Sequence, residues 1–333
     1  MYKFGNTLAA IMNTMKQKHI VCLGGGIGTS NLLRGLKHYP LHLSVVTSMA
    51  DDGGSSGRLR KAYGIMPPGD IISCIAALIP EEQKELADLL TYRFSGSDKE
   101  DTTIGGQKFG NLLMLAGIQQ TGDFYKAVEV VKKIFGVTAD FFPATDVRTN
   151  LSAITKDGRR IDSETTLDLA LYSEPRGLKR IYIKPKEPKV NPKVISALLN
   201  ADCIISGPGD LYTNQLPVLV VPQIRDALIK SKAKKIFILN IANKPFETKG
   251  FTLQDFIKAF EDHLGVFPFD TIIANDNQQV MIPQEYDYTY IPIDKELKQK
   301  PQPFELIESD LVNKTFPLYH DAQKLASLVA KHI

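Results

Sequence analysis

The sequence predicts an α/β protein: a mostly parallel sheet with helices on both faces and an inserted helical region. Three observations carry this. Short apolar runs alternate with amphipathic segments along most of the chain. The first run, "HIVCL", lacks polar alternation, as expected of a strand buried on both faces. Two of the runs pass directly into glycine-rich turns, "LGGGIGTS" and "ISGPGD". Strands separated by helices in this way build crossover units and hence a parallel sheet.

In order, "HIVCL" is followed by a helix, "SNLLRGLKHY", with Leu32, Leu33 and Leu36 on one side, and "LHLSVVTSMA" is the second strand. "PPGDIISCIAALI", "PEEQKELADLLTYRF", "FGNLLMLAGIQQ" and "DFYKAVEVVKKIFG" then read as helices punctuated by Pro80 and Gly122, an insertion over about residues 67–136. "ADFFPAT" restores a strand, and "NLSAITKDGRRIDSETT" is a hairpin about Asp157–Gly158, a pair suited to type I′ geometry. "LKRIYIKP" is a strand, the Lys- and Pro-rich stretch after it a solvated loop. Asn191 then caps a helix with Pro192 at its first position.

"ADCIIS", "KKIFILNIAN" and "DTIIAND" are further buried strands, and Thr252 with Asp255 forms a capping box. "YTYIPID" and a helix over Asp321–His332 close the chain. No linker divides residues 18–333, which read as a single domain. Residues 1–17 are an extension: either a short helix with Leu8, Ile11, Met12 and Met15 on one face, or a segment ahead of a start at Met15.

The 333 residues carry a net charge of +3, which makes no case for nucleic acid. No apolar run approaches the roughly 18 residues of a membrane span. Cys22, Cys74 and Cys203 are odd in number and far apart, which reads as reduced thiols in the cytoplasm. The six histidines show no metal spacing, and no nucleophile–base triad stands out.

Three motifs carry chemistry. Gly24, Gly25, Gly26, Gly28, Thr29 and Ser30 match a dinucleotide fingerprint only in part, because the sixth position is Thr29 or Asn31. Glycines still let backbone N–H groups approach a phosphate at a helix start. Asp51 and Asp52 precede "GGSSGRLR". Their carboxylates would take ribose hydroxyls, or with Ser55, Ser56 and Arg58 hold a Mg²⁺–phosphate pair. "GPGDLYTN" repeats the glycine-loop logic after another strand.

"LGGGIGTSNLLRGLKHYP", "MADDGGSSGRLRKAYGIMPPGDI", "FGNLLM" and "GPGDLYTN" occur in this order, from about Lys18 to about Asn277. Together they resemble the gluconeogenesis-factor family, the YvcK group, which is related to the CofD 2-phospho-L-lactate transferases. The resemblance implies a three-layer, Rossmann-like fold, binding of UDP-sugars, and a link to cell shape and growth on gluconeogenic carbon sources. It marks Gly24 to Ser30 as a phosphate cradle and Asp51, Asp52, Ser55, Ser56 and Arg58 as the acidic loop. Asp70, Lys108, Asn111, Gly207, Gly209, Asp210, Tyr212 and Thr213 become further nucleotide-binding positions. The chain departs from the family pattern at Gln107, where a His is usual, and at Asp210 and Asn214, where Ser is usual.

Three functions compete: a nucleotide-sugar-binding regulator, a Mg²⁺-dependent phosphotransferase acting at a diphosphate, and a nicotinamide-dependent oxidoreductase. The incomplete fingerprint disfavours the last, so no redox cofactor is expected. The motif set is nearer the regulator. Apolar residues around Leu86–Phe94 and Phe124–Phe135 suggest a homodimer.

Overall fold

The computed structural model describes residues 17–96, 104–169 and 177–333; the extension containing Leu8 to Met15 lies outside them. The first half contains β1 (Lys18–Leu23), α1 (Gly26–Leu36), β2 (Leu41–Thr47), α2 (Gly54–Tyr63), α3 (Gly69–Leu78), α4 (Lys84–Thr91), α5 (Phe109–Thr121), α6 (Phe124–Ile134), β3 (Asp140–Pro143), β4 (Asn150–Thr155), β5 (Arg160–Ile161) and α7 (Glu164–Asp168). The second contains β6 (Leu178–Lys184), α8 (Pro192–Asn200), β7 (Cys203–Ser206), α9 (Leu216–Leu219), α10 (Pro222–Lys230), β8 (Lys234–Ile238), β9 (Ala242–Asn243), α11 (Leu253–Leu264), β10 (Thr271–Asn275), β11 (Thr289–Tyr290), α12 (Lys295–Gln299), β12 (Glu305–Ser309) and α13 (Ala322–His332).

Among the described residues seven strands form one sheet in the order β12-β10-β8-β7-β1-β2-β3, with every neighbouring pair parallel. The chain starts in the middle and winds outward through β2 and β3. It then returns to the other side of β1 as β7 and continues through β8, β10 and β12. Winding therefore reverses between β1 and β7, where a parallel sheet opens a crevice beyond the carboxyl ends of its strands.

Alternate residues of β1 feed two separate cores. Ile20 and Cys22 pack under α1, α3 and α13, whereas Val21 and Leu23 face α8 to α11 and the small antiparallel sheet β5-β4-β6. Burying each such side chain contributes about 1.5–3 kcal/mol, and the demand on both faces explains the missing polar alternation. The α1–α13 crossing closes over Gly35, where a Cβ would stand 2.2 Å from the Ala322 carbonyl oxygen. The three cysteines are free and buried, and burial pushes the Cys22 and Cys203 thiols up to about 12.

Several elements differ from the sequence reading. "GSSGRLRKAY" is a helix, α2, although its glycines and serines suppress the helical signal. Gly57 permits this, since a Cβ there would lie 2.0 Å from the Asp52 carbonyl oxygen. The helix expected from Pro80 begins with a 3₁₀ turn, Glu81–Gln83, and ends at Thr91. "YTYIPID" gives only the short β11, paired with β9 outside the main sheet. The edge strand β12 was not anticipated, because Glu305 and Glu308 interrupt its apolar pattern.

Helix α3 packs on α1 and belongs to the layer covering the sheet, while α4 to α6 extend that layer outward. Leu86, Leu89 and Tyr92 are exposed at 39%, 46% and 49%, whereas Phe124 and Phe135 are buried in the core. Among the described residues no helix is long and apolar enough to cross a membrane.

Candidate functional site

The two glycine loops meet at the switch point. A Cβ on Gly28 would lie 2.4 Å from the Pro208 carbonyl oxygen and 3.2 Å from the Gly209 nitrogen, so the loops pack backbone on backbone. Gly207 adopts φ +85°, and Gly209 N–H donates to Asn240 Oδ1 at 2.9 Å. Gly28→Ala should therefore force the loops apart at a cost of about 1–3 kcal/mol. A drop in melting temperature together with weakened ligand binding would be the expected reading; an unchanged protein would mean the loops yield freely.

The structure spends the first three loop amides internally. Gly24 N–H donates to the Val46 carbonyl at 3.0 Å, Gly25 N–H to Asn214 Oδ1 at 3.1 Å, and Gly26 N–H to the Asp70 carboxylate. Helix α1 has no side-chain cap and no acid in its first turn. Its next amides, from Ile27 and Gly28 onward, have no acceptor within the helix and lie at its positive end. Thr29 and Ser30 are buried: Ser30 Oγ lies 4.0 Å from Cys74 Sγ, and Thr29 Oγ1 has no partner among the described residues. A cavity of about 200 Å³ opens here, lined by both loops, by Asp210, and by Tyr288, Tyr319 and His320.

Asp51 and Asp52 part company. Asp52 accepts from Ser163 Oγ at 3.2 Å, Glu164 N–H at 3.3 Å, Thr165 N–H at 2.8 Å and Thr165 Oγ1 at 2.7 Å, so it anchors the start of α7. Asp51 accepts from Gly53 N–H at 2.9 Å, and burial raises its pKa. Asp70 is half-buried at the start of α3; desolvation first, then Asp51, pushes its pKa up to about 7, while Lys108 pulls it down. Lys108 donates to Ser73 Oγ at 3.0 Å, and burial lowers its own pKa. Glu164 joins this group, raised to about 9 by burial and by Asp51, Asp168, Asp52 and Asp70.

The two serines hold the neighbouring segments together. Ser55 Oγ donates to Gln107 Oε1 at 2.6 Å and accepts from Lys108 N–H and Asn111 Nδ2, both at 3.0 Å. Ser56 Oγ accepts from Gly69 N–H at 3.1 Å. Asn111 Oδ1 is buried without a partner among the described residues. Arg58 donates to the Gly105 carbonyl at 3.0 Å, and Arg60 donates to the Asp51 carbonyl at 3.1 Å.

Below the second loop lies a cluster that sequence reasoning missed. Lys244 pairs with Asp168, with Asp210 at 2.8 Å and with Glu247 at 3.2 Å. Glu247 accepts from Tyr212 N–H at 3.1 Å and Thr213 Oγ1 at 2.7 Å; burial and Asp210 push its pKa up to about 7. Tyr212 and Thr213 thus face the protein interior and brace the loop. No motif signals Lys244 or Glu247, since "NKPFE" is an unremarkable loop sequence. The same holds for Glu164 and His320, which only the fold brings to the crevice.

These shifts have opposite signs in pH. The raised carboxyls of Asp70, Glu164 and Glu247 favour the fold at low pH, an effect lost as pH rises through about 7 to 9. Burial holds His320 down to about 4, so its contribution is full above about 6.5 and lost as pH falls toward 4. His320→Gln is expected to lose less stability than the unmodified chain between pH 6.5 and 4. Parallel melting curves across that window would show that His320 is not the titrating group.

A parallel switch-point crevice, an uncapped helix start and half-buried carboxyls beside it are the features of a Rossmann-like α/β protein. The chain belongs to the CofD family: the family model described as 2-phospho-L-lactate transferase CofD matches residues 20–312. It is 38% identical over 318 residues to the gluconeogenesis factor of Bacillus subtilis (strain 168), covering 93% of this chain and 96% of that one. It is 37% identical over 261 residues to the gluconeogenesis factor of Halalkalibacterium halodurans, covering 78% of each. The crystal structure of a UPF0052 family protein from Bacillus halodurans superposes with a TM-score of 0.85 at 33% identity, covering 95% of this chain and all of that one.

Proposed function

We propose that this cytoplasmic protein binds a nucleoside diphosphate sugar of the UDP-sugar type as a regulator, linked to cell shape and growth on gluconeogenic carbon sources. The observation that supports it most is the open start of α1, whose first turn faces a cavity closed by the second glycine loop. An anion is favoured there, and Tyr288 and Tyr319 line the same cavity and would offer a pyrimidine or sugar ring an aromatic surface.

A Mg²⁺ fits beside the phosphates. Hard cations take carboxylate oxygens, and Asp51 and Asp70 are neighbouring acids that both resist ionising while uncompensated. Asp51 with Asp70 would hold the ion, because Asp52 is committed to α7. The ion would neutralise diphosphate charge and position it. Lys108, next to Asp70, limits repulsion at the same point.

The second reading is a CofD-type transfer of a 2-phospholactyl-like group from a guanosine diphosphate donor to a deazaflavin alcohol; the family match supports it equally in fold. Calorimetry with UDP-glucose, UDP and GDP, with and without Mg²⁺, tests the choice. Tighter UDP-glucose binding without turnover supports the regulator; preference for the guanosine ligand with product formation supports the transferase. A second copy of the chain is proposed to pair over the exposed Leu86, Leu89 and Tyr92. A mass of 36.9 kDa by light scattering at all concentrations removes that pairing.

A further inference from the structure

One acid of the Lys244 cluster belongs to the cavity wall. Asp210 lines the cavity and follows Gly209, which packs on Gly28 in the first turn of α1. Its side chain is 36% exposed, whereas those of Lys244 and Glu247 are 12% and 0% exposed. Burial first and then Asp210 push the Tyr288 hydroxyl up to about 12, and the same two causes raise Tyr319. Both tyrosines line the same cavity, so the field of this carboxylate acts inside it.

The Asp210 side chain braces nothing locally. The turn after it is closed by the Asp210 carbonyl, which accepts from Asn214 N–H at 3.0 Å and Gln215 N–H at 2.9 Å, and the carboxylate caps no amide. Lys244 does not require it for charge balance either. The ammonium pairs with Glu247 at 3.2 Å and with Asp168, so Asp210 is a third carboxylate on one cation among the described residues. Asp210 Oδ2 accepts from Lys244 at 2.8 Å, which fixes the group, and Oδ1 has no hydrogen bond to a described residue. The cavity thus has two walls of opposite sign. The amides at the start of α1 favour an anion, and Asp210 repels one.

We propose that Asp210 determines ligand specificity by charge: its carboxylate accepts from a hydroxyl or ammonium donor on the group attached to the nucleotide phosphates, and it excludes an acidic group from that position. The inference rests on the nucleotide reading and adds a chemical class to it, a nucleotide whose attached group is hydroxyl-rich and neutral, or cationic. Lys244 acts through Asp210 as a positioning residue. Hydroxyl and ammonium donors both suit a fixed carboxylate, and their charge separates them.

The test measures binding of UDP, UDP-glucose, UDP-glucosamine and UDP-glucuronate to the unmodified chain and to Asp210→Asn. The unmodified chain is expected to bind UDP-glucuronate at least about fivefold more weakly than UDP-glucose, the effect of one like-charge pair at about 4 Å in water. Asp210→Asn keeps the shape and the backbone bonds of the turn, leaves Lys244 with Asp168 and Glu247, and should remove that difference while UDP binding holds. UDP-glucosamine separates the donors. An advantage over UDP-glucose that Asp210→Asn abolishes assigns an ammonium; equal binding to the unmodified chain assigns a hydroxyl. The ranking of ligands on the unmodified chain decides even where the variant does not fold. Equal binding of UDP-glucose and UDP-glucuronate by the unmodified chain overturns the proposal. So does an Asp210→Asn effect that is the same for every ligand, the mark of a purely structural acid. Failure of the unmodified chain to bind UDP or UDP-glucose would instead overturn the nucleotide reading, and the inference with it.

Discussion

Lys244→Met is expected to lower stability by about 2–3 kcal/mol, less than for a fully buried pair because Asp168 and Asp210 are each more than a third exposed. The ammonium is the centre of three carboxylates, Asp168, Asp210 and Glu247, whose oxygens lie within 4.8 Å of one another. Glu247 has no exposed side-chain surface, so water cannot take over from the lysine. At roughly 2–4 °C per kcal/mol for a large domain, the melting temperature should fall on the order of 10 °C. The fall should be smaller at pH 5 than at pH 8, because the carboxyls accept protons once the cation is gone. Adding Glu247→Gln should recover part of it. A variant that melts with the unmodified chain would show that the cluster is hydrated and energetically idle.

Asp70→Asn carries the largest expected effect on binding. It removes an acid that accepts the Gly26 amide, faces Asp51 and is central to the proposed Mg²⁺ site. Enhancement of nucleotide affinity by Mg²⁺ should drop at least tenfold, about 1.4 kcal/mol. The unliganded protein should be as stable as before or more so near pH 8, since a half-buried carboxylate beside Asp51 is a repulsive pair. Asp52→Asn should behave oppositely, loosening α7 and lowering the melting temperature while Mg²⁺ enhancement persists. Calorimetric Mg²⁺ titrations of the two variants decide between the carboxylates, and equal loss of enhancement in both would return Asp52 to the ion site.

Much of this was legible in the residues. The double-sided apolar runs around Ile20, Val45, Ile204 and Ile272 required strands covered on both faces, and the parallel sheet follows from that. Capping at Asn191 and at Thr252 with Asp255 was readable because those interactions are local in the chain. The two glycine loops were readable for the same reason, since close approach needs residues without a Cβ. Helix α2 was not, because its stability comes from packing against the Asp52 carbonyl and from Arg60, whose guanidinium reaches Thr149.

Fold class, the order of most elements and the neighbourhood of the site can be read from the residues, because these depend on periodicity and on short-range backbone geometry. Which acid faces which neighbour is set by long-range packing. Asp51 and Asp52 are adjacent in the chain, yet one is turned toward Asp70 and the other toward Thr165. Lys244, Glu247, Glu164 and His320 acquire their chemistry from burial and from charges brought together by long-range packing. Electrostatic interaction falls with distance in space, not with separation in sequence.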